Sequence, residues 1–258
     1  MRVRLLGPVD AVVGGTPVPI AGLRRKAVLA VLALHGEGIA GTGRLIEAVW
    51  GDKAGRASLN TLQSHVSALR RVLGNRNAIV ARPPGYLLDL GPGTTDVTEA
   101  QRLVARGECD DDPAQSATTL RAALALWRDR SLVDVGGMAW LDEQAAALER
   151  LRTRAQLALI RARLALGEHA QLEPDLERLA RAHPFDEQVH AQLMFALYRT
   201  GRQADALSVY RRLRAALADN VGIDPSQRLR DLEIAILRQD PALDQSAHAV
   251  RLLAGCAS

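Results

Sequence analysis

A recurrence at a fixed interval constrains this chain more than any other feature. Leu159, Leu164, Gly167 and Ala170 return as Leu193, Tyr198, Gly201 and Ala204, each 34 residues later. That interval fits a pair of helices joined by a tight turn, a unit that cannot bury its apolar side alone and therefore stacks on a copy of itself. A small residue belongs at the turn, and a large one closes each pair. Helical periodicity extends well beyond the repeat. Segments near 96–107, 114–128, 140–166, 169–182, 186–199, 202–219 and 226–238 read as helices, so the chain after residue 95 is expected to be helical.

The first third follows different periods. Val3 and Leu5 alternate with Arg2 and Arg4, while Val12-Val13 and Val18-Pro19-Ile20 flank a Gly14-Gly15 turn, which predicts short strands. From Leu23 the spacing of Ala27, Val28, Val31, Leu32 and Leu34 becomes helical, until Gly36 and Gly38 stop it. A second helix is expected from Thr42 to Trp50, and a third from Asn60 to Leu73, closed by Gly74. Ile79–Arg82, the break Pro83-Pro84-Gly85 and Tyr86–Leu90 then read as a β-hairpin. Gly91-Pro92-Gly93-Thr94-Thr95 marks the best boundary between domains.

Charge divides at the same place. Residues 1–95 hold 12 Lys/Arg against 5 Asp/Glu, whereas residues 96–258 hold 21 against 24. A basic front module suits a polyanion, and an acidic remainder does not. Nearly all of the positive charge is arginine, since Lys26 and Lys53 are the only lysines. The two cysteines, Cys109 and Cys256, form no Cys-x-x-Cys pair, and the six histidines show no ligand spacing, so neither a disulfide framework nor a metal site is expected. The start of the chain lacks the apolar run of a signal peptide, and no apolar stretch approaches 18 residues. The expected compartment is the cytoplasm, with no membrane partner.

The third helix carries the functional signal. Leu62, Val66, Leu69 and Leu73 line one face, with Asn60, Ser64, Ser67 and Arg71 opposite and Thr61, Gln63 and Arg70 beside them. Short polar side chains let a helix enter a major groove, and terminal arginines reach phosphates or guanine edges. A hairpin follows, bearing Arg82, and Arg24-Arg25-Lys26 opens the first helix as a possible backbone clamp. Other motifs lose weight against plainer readings. Gly36-Glu37-Gly38-Ile39-Ala40-Gly41 matches a dinucleotide fingerprint literally, but helical spacing precedes it, so it reads as a turn. Asp110-Asp111-Asp112 before Pro113 reads as a solvated loop and helix start. Trp50, Trp127 and Trp140 read as core anchors, and His65 as flanking the core stripe. No nucleophile motif or phosphate loop occurs, so no enzyme activity and no cofactor are expected.

The expected fold is mainly α. A winged helix-turn-helix (α+β) module spans 1–95, an all-α tetratricopeptide-like repeat domain spans 96–241, and 242–258 is a tail or linker. The function expected from the residues is binding of double-stranded promoter DNA; the competing reading is a helical-repeat protein-interaction adaptor.

Several runs of residues resemble one family. Leu6-Gly7-Pro8, Leu45–Gly51, Asn60-Thr61-Leu62-Gln63, Val66–Arg71 and Arg82–Tyr86 are similar to the DNA-binding half of the Streptomyces antibiotic regulatory proteins. Leu126-Trp127-Arg128, Gln192-Leu193-Met194, Gly201–Leu207, Gly222–Pro225 and Ile236–Pro241 resemble their bacterial transcriptional activator domain. The resemblance implies a response-regulator-type winged helix without a receiver domain, in an activator of secondary-metabolite gene clusters. It also implies direct-repeat DNA sites, recruitment of RNA polymerase with its sigma factor, and a homodimer or tandem protomers on DNA. By position, Thr61, Ser64, Ser67, Arg70 and Arg71 would face DNA, with Arg82 on the wing. Three positions depart from the family pattern: Ala68 stands where many relatives carry arginine, Leu23-Arg24-Arg25-Lys26 replaces Pro-Lys-Gln-Arg, and Ala100 stands where phenylalanine is frequent.

Overall fold

The computed structural model describes residues 1–51, 58–91 and 93–244. Lys53, Pro92 of the predicted boundary, and 245–258 of the tail lie outside the described residues. Among the described residues, six strands and ten α-helices follow in the order β1 (Arg2–Arg4), β2 (Asp10–Val13), β3 (Thr16–Val18), α1 (Leu23–Leu34), β4 (Ala40–Gly41), α2 (Thr42–Trp50), α3 (Ser58–Val72), β5 (Ile79–Arg82), β6 (Gly85–Leu88), α4 (Asp96–Glu108), α5 (Pro113–Leu124), α6 (Ala139–Ala165), α7 (His169–Ala182), α8 (Glu187–Arg199), α9 (Gln203–Val221) and α10 (Gln227–Arg238). The chain forms two compact units, one of residues 1–105 with 122–154, the other of 106–121 with 155–258.

In the first unit an antiparallel sheet β1-β2-β3 precedes three helices, and a second sheet has the order β4-β6-β5. Arg2 pairs with Val12 in one, and Ile79 with Leu88 in the other. The α1 stretch Ala27–Ala33 is buried throughout, and α3 buries Leu62, Val66 and Leu69 against the same core. Each such leucine contributes about 1.5–3 kcal/mol on burial, which fixes the rotation of α3 about its axis.

The core of this unit does not stop at residue 95. Val97, Ala100, Trp127, Leu132, Val135, Met138, Leu141 and Leu148 are buried in one cluster with Val3, Leu5, Leu29 and Leu62. Backbone bonds make the same connection. The Asp96 carboxylate accepts the Leu5 amide at 2.7 Å and the Leu6 amide at 3.0 Å. Arg128 N donates to Leu6 O at 2.8 Å, and Leu132 N to Leu5 O at 3.0 Å. The Leu5–Leu6 backbone, just past β1, is thus completed by residues from beyond the Gly91–Thr95 break. Burial pushes the Asp96 carboxyl above its ordinary value, opposed by the Leu6 and Leu5 amides. The expected helix 114–128 ends at Leu124 instead, because the chain there turns to make these bonds.

The second unit follows the repeat. Gly167 and Gly201 have φ of 83° and 80°, the left-handed region that only glycine enters without strain. Their amides bond Leu164 O and Tyr198 O, each at 3.0 Å. The 34-residue offset also relates core positions that the first reading left out: Leu172, Leu176 and Leu179 on α7 correspond to Ala206, Tyr210 and Leu213 on α9, all buried. The Asp186 carboxylate caps α8 by accepting the Gln188 and Val189 amides at 2.9 and 3.3 Å. Pro241–Asp244 forms a short 3-10 turn whose Leu243 is fully buried, with its carbonyl accepting Arg199 Nη1 at 2.9 Å. Leu243 therefore packs into this unit's core.

Candidate nucleic-acid interface

On α3 the apolar stripe is inward, so its complement is outward by geometry. Asn60, Thr61, Gln63, Ser64, Ser67 and Arg71 are all exposed. Asn60, Ser64, Ser67 and Arg71 fall at i, i+4, i+7 and i+11, a single line of side chains along the helix. Ala68 beside that line is half-buried. Arg70 and Arg71 occupy the last turn, where the helix dipole favours cations.

The two arginines differ. Arg71 is exposed, whereas Arg70 is half-buried and its Nε donates to Ile79 O at 2.7 Å, tying α3 to the first wing strand. Arg82 closes the other end of that strand, exposed and paired in register with Gly85. The hairpin between them turns on Pro83 and Pro84. Thr42, the first residue of α2, anchors it: its amide and its hydroxyl both donate to Pro84 O, at 3.1 and 3.0 Å. Gly85 permits the close approach of β4, because a Cβ there would lie 1.9 Å from Ala40 O.

The N-terminus of α1 lies beside α3. His65 is half-buried and stacks on Trp50, with ring centroids 5.9 Å apart and planes 20° apart. Burial holds its imidazole below the ordinary value, with Arg25 and Arg24 adding repulsion. Arg24 and Arg25 are half-buried, and the Arg25 Nε is shielded from solvent without a hydrogen-bond partner. Lys26 is committed elsewhere, in an ion pair with Asp134. The structure thus groups Asn60, Thr61, Gln63, Ser64, Ser67 and Arg71 on one exposed helix face, places Arg82 on the adjoining hairpin, and turns Lys26 and Arg70 at least partly to structural work.

Sequence reasoning gave no role to three residues that tie this unit together. Thr42 carried no pattern. Arg128, which bonds Asp10 at 3.1 Å and Pro8 O at 2.8 Å, stood out only through the family resemblance. Asp134 is 108 residues from Lys26, a separation at which no local spacing signals contact.

Among the described residues no cluster of His, Cys, Asp or Glu could hold a metal ion, and no helix is long and apolar enough to cross a membrane. Residues 95–237 match the family described as the bacterial transcriptional activator domain, and residues 21–88 match the C-terminal domain of transcriptional regulatory proteins. Regulatory protein DnrI of Streptomyces peucetius is 35% identical over 270 residues, covering 100% of this chain and 99% of DnrI. Transcriptional regulatory protein EmbR of Mycobacterium tuberculosis is 36% identical over 97% of this chain, which spans 66% of EmbR. Regulatory protein AfsR of Streptomyces coelicolor is 35% identical over 96% of this chain, which spans 25% of AfsR. The solved structure of M. tuberculosis EmbR in complex with a low affinity phosphopeptide superposes with a TM-score of 0.88 at 35% identity, over 98% of this chain and 69% of that one. These relatives are transcriptional regulators and not enzymes. With both halves of the family architecture present and a relative matched over its whole length, the chain belongs to the Streptomyces antibiotic regulatory protein family of transcriptional activators.

Proposed function

We propose that this activator binds promoter direct repeats, reads them with α3 in the major groove, and recruits RNA polymerase through its sigma factor to a biosynthetic gene cluster in the cytoplasm. The observation that carries the reading is the exposed line Asn60–Ser64–Ser67–Arg71 on a helix whose opposite face is locked into the core. Side chains of this size leave room for the helix to seat against base edges, and Arg71 and Arg82 lie where phosphates would run alongside. Arg24 and Arg25 add backbone contacts. Residues 1–95 supply the DNA contacts in this account, and 96–241 supply the activating surface. The names of the matched relatives, all regulatory proteins, agree with it.

A winged helix covers less than a turn of groove, so a specific site calls for two protomers on one face of the duplex, placed head to tail on a direct repeat. Mobility shifts on repeats of varied spacing test this. Inserting half a turn, about 5 bp, is expected to abolish cooperative binding, and a full turn of about 10 bp to restore part of it. Equal binding at every spacing would mean independent monomers, and full activity on an inverted repeat would mean a two-fold dimer.

A further inference from the structure

Lys26 follows Arg24 and Arg25 directly, yet its charge is not free. Its Nζ bonds Asp134 Oδ2, while Asp134 Oδ1 accepts the Val9 amide at 2.9 Å. The two side chains are only 23% and 24% exposed. Asp134 is therefore fixed on one side by backbone and on the other by the ammonium, and the N-terminus of α1 presents two cations instead of three. Asp134 lies in the stretch matched by the activator-domain family, though it folds in the same compact unit as α1.

We propose that Asp134 is a positioning residue that withdraws the Lys26 ammonium from the DNA contact set. The inference rests on the DNA-binding reading above. Affinity for any duplex rises with each cation that displaces counterions from a phosphate, whereas base contacts discriminate between sequences. A masked cation beside the reading helix lowers affinity for all DNA alike. That raises the share of binding that depends on α3.

The experiment measures affinity against salt concentration for the full chain, on a promoter duplex and on a scrambled duplex of equal length. Asp134→Asn is expected to release Lys26 and steepen the logarithmic salt slope by about 0.9 on both duplexes. Affinity should rise by a similar factor on the two duplexes, leaving the ratio of specific to scrambled affinity unchanged. The double variant Lys26→Met with Asp134→Asn replaces the pair by neutral groups of similar shape and guards against a single variant that fails to fold. Its slope should match wild type. A folded Asp134→Asn protein with an unchanged or shallower slope overturns the proposal, as does a double variant shallower by about one unit, which would make Lys26 a phosphate contact. A wild-type protein with no salt-dependent binding at all would instead remove the DNA-binding reading itself.

Discussion

Arg70 and Arg71 are neighbours in sequence with separate duties. Arg70 holds β5 through its Nε, while Arg71 is exposed on the outward line of α3. Arg71→Ala should leave the melting temperature nearly unchanged and make the DNA salt slope shallower by about one unit. Arg70→Ala should instead destabilise the fold by about 1–2 kcal/mol through loss of a charge-assisted bond to backbone. Thermal melts and salt-titrated binding of both variants check the division; equal effects in both measurements would refute it. At this scale the sequence showed which side chains face out, because Leu62, Val66 and Leu69 fix the rotation of the helix. It did not show which cations are already occupied. Lys26 and Asp134 meet only through the tertiary fold, so Lys26 reads as a free clamp until the structure supplies its partner.

The wing is an element built on one glycine. β6 pairs with β4 at Gly41–Gly85 and Ala40–Tyr86, and a side chain at residue 85 would overlap the Ala40 carbonyl. Gly85→Ala is expected to destabilise the protein by at least about 1–3 kcal/mol, as overpacked sites do, and to weaken DNA binding by displacing Arg82. Denaturant unfolding measures it, and wild-type stability would show that the strand accommodates a methyl group. Helices with a clean apolar period were legible almost to their ends: α2 and α7 occupy the ranges read from sequence. The two-residue β4 was not, since a strand that short has no period and exists only because β6 lies beside it. The repeat was legible through Gly167 and Gly201, whose left-handed backbone leaves a residue-type signature. Its core positions on α7 and α9 were harder to see, because Ala206 and Tyr210 stand where the other copy has leucines.

Across the whole molecule, composition and charge separate at residue 95 while packing does not. The Gly91–Thr95 break reads as a linker by residue type, but Asp96, Val97 and Ala100 immediately after it are buried with the strands and helices before it. A fragment ending at Thr95 would lose the acceptor for the Leu5 and Leu6 amides, an unmet demand of about 1–3 kcal/mol for each group, together with the apolar cover from Trp127 and Leu132. Such a fragment should show no cooperative unfolding transition, whereas one extending to Arg154 should show one. A stable 1–95 fragment would contradict the shared core. Sequence reading did not show that the core crosses this break, because glycine-rich composition reports local backbone freedom while the closing bonds come from residues 90 or more positions away.

The measurement that bears most directly on the central claim compares affinity for a promoter duplex and a scrambled duplex, for wild type and for a protein altered along the outward line of α3, Ser64→Ala with Ser67→Ala. Neither serine supports the core, so both proteins should melt alike. Wild type should bind the promoter at least about a thousandfold more tightly than the scrambled duplex, and the variant should lose about 1–3 kcal/mol of that discrimination while keeping its affinity for scrambled DNA. Undiminished discrimination in the folded variant would show that α3 does not read the sequence.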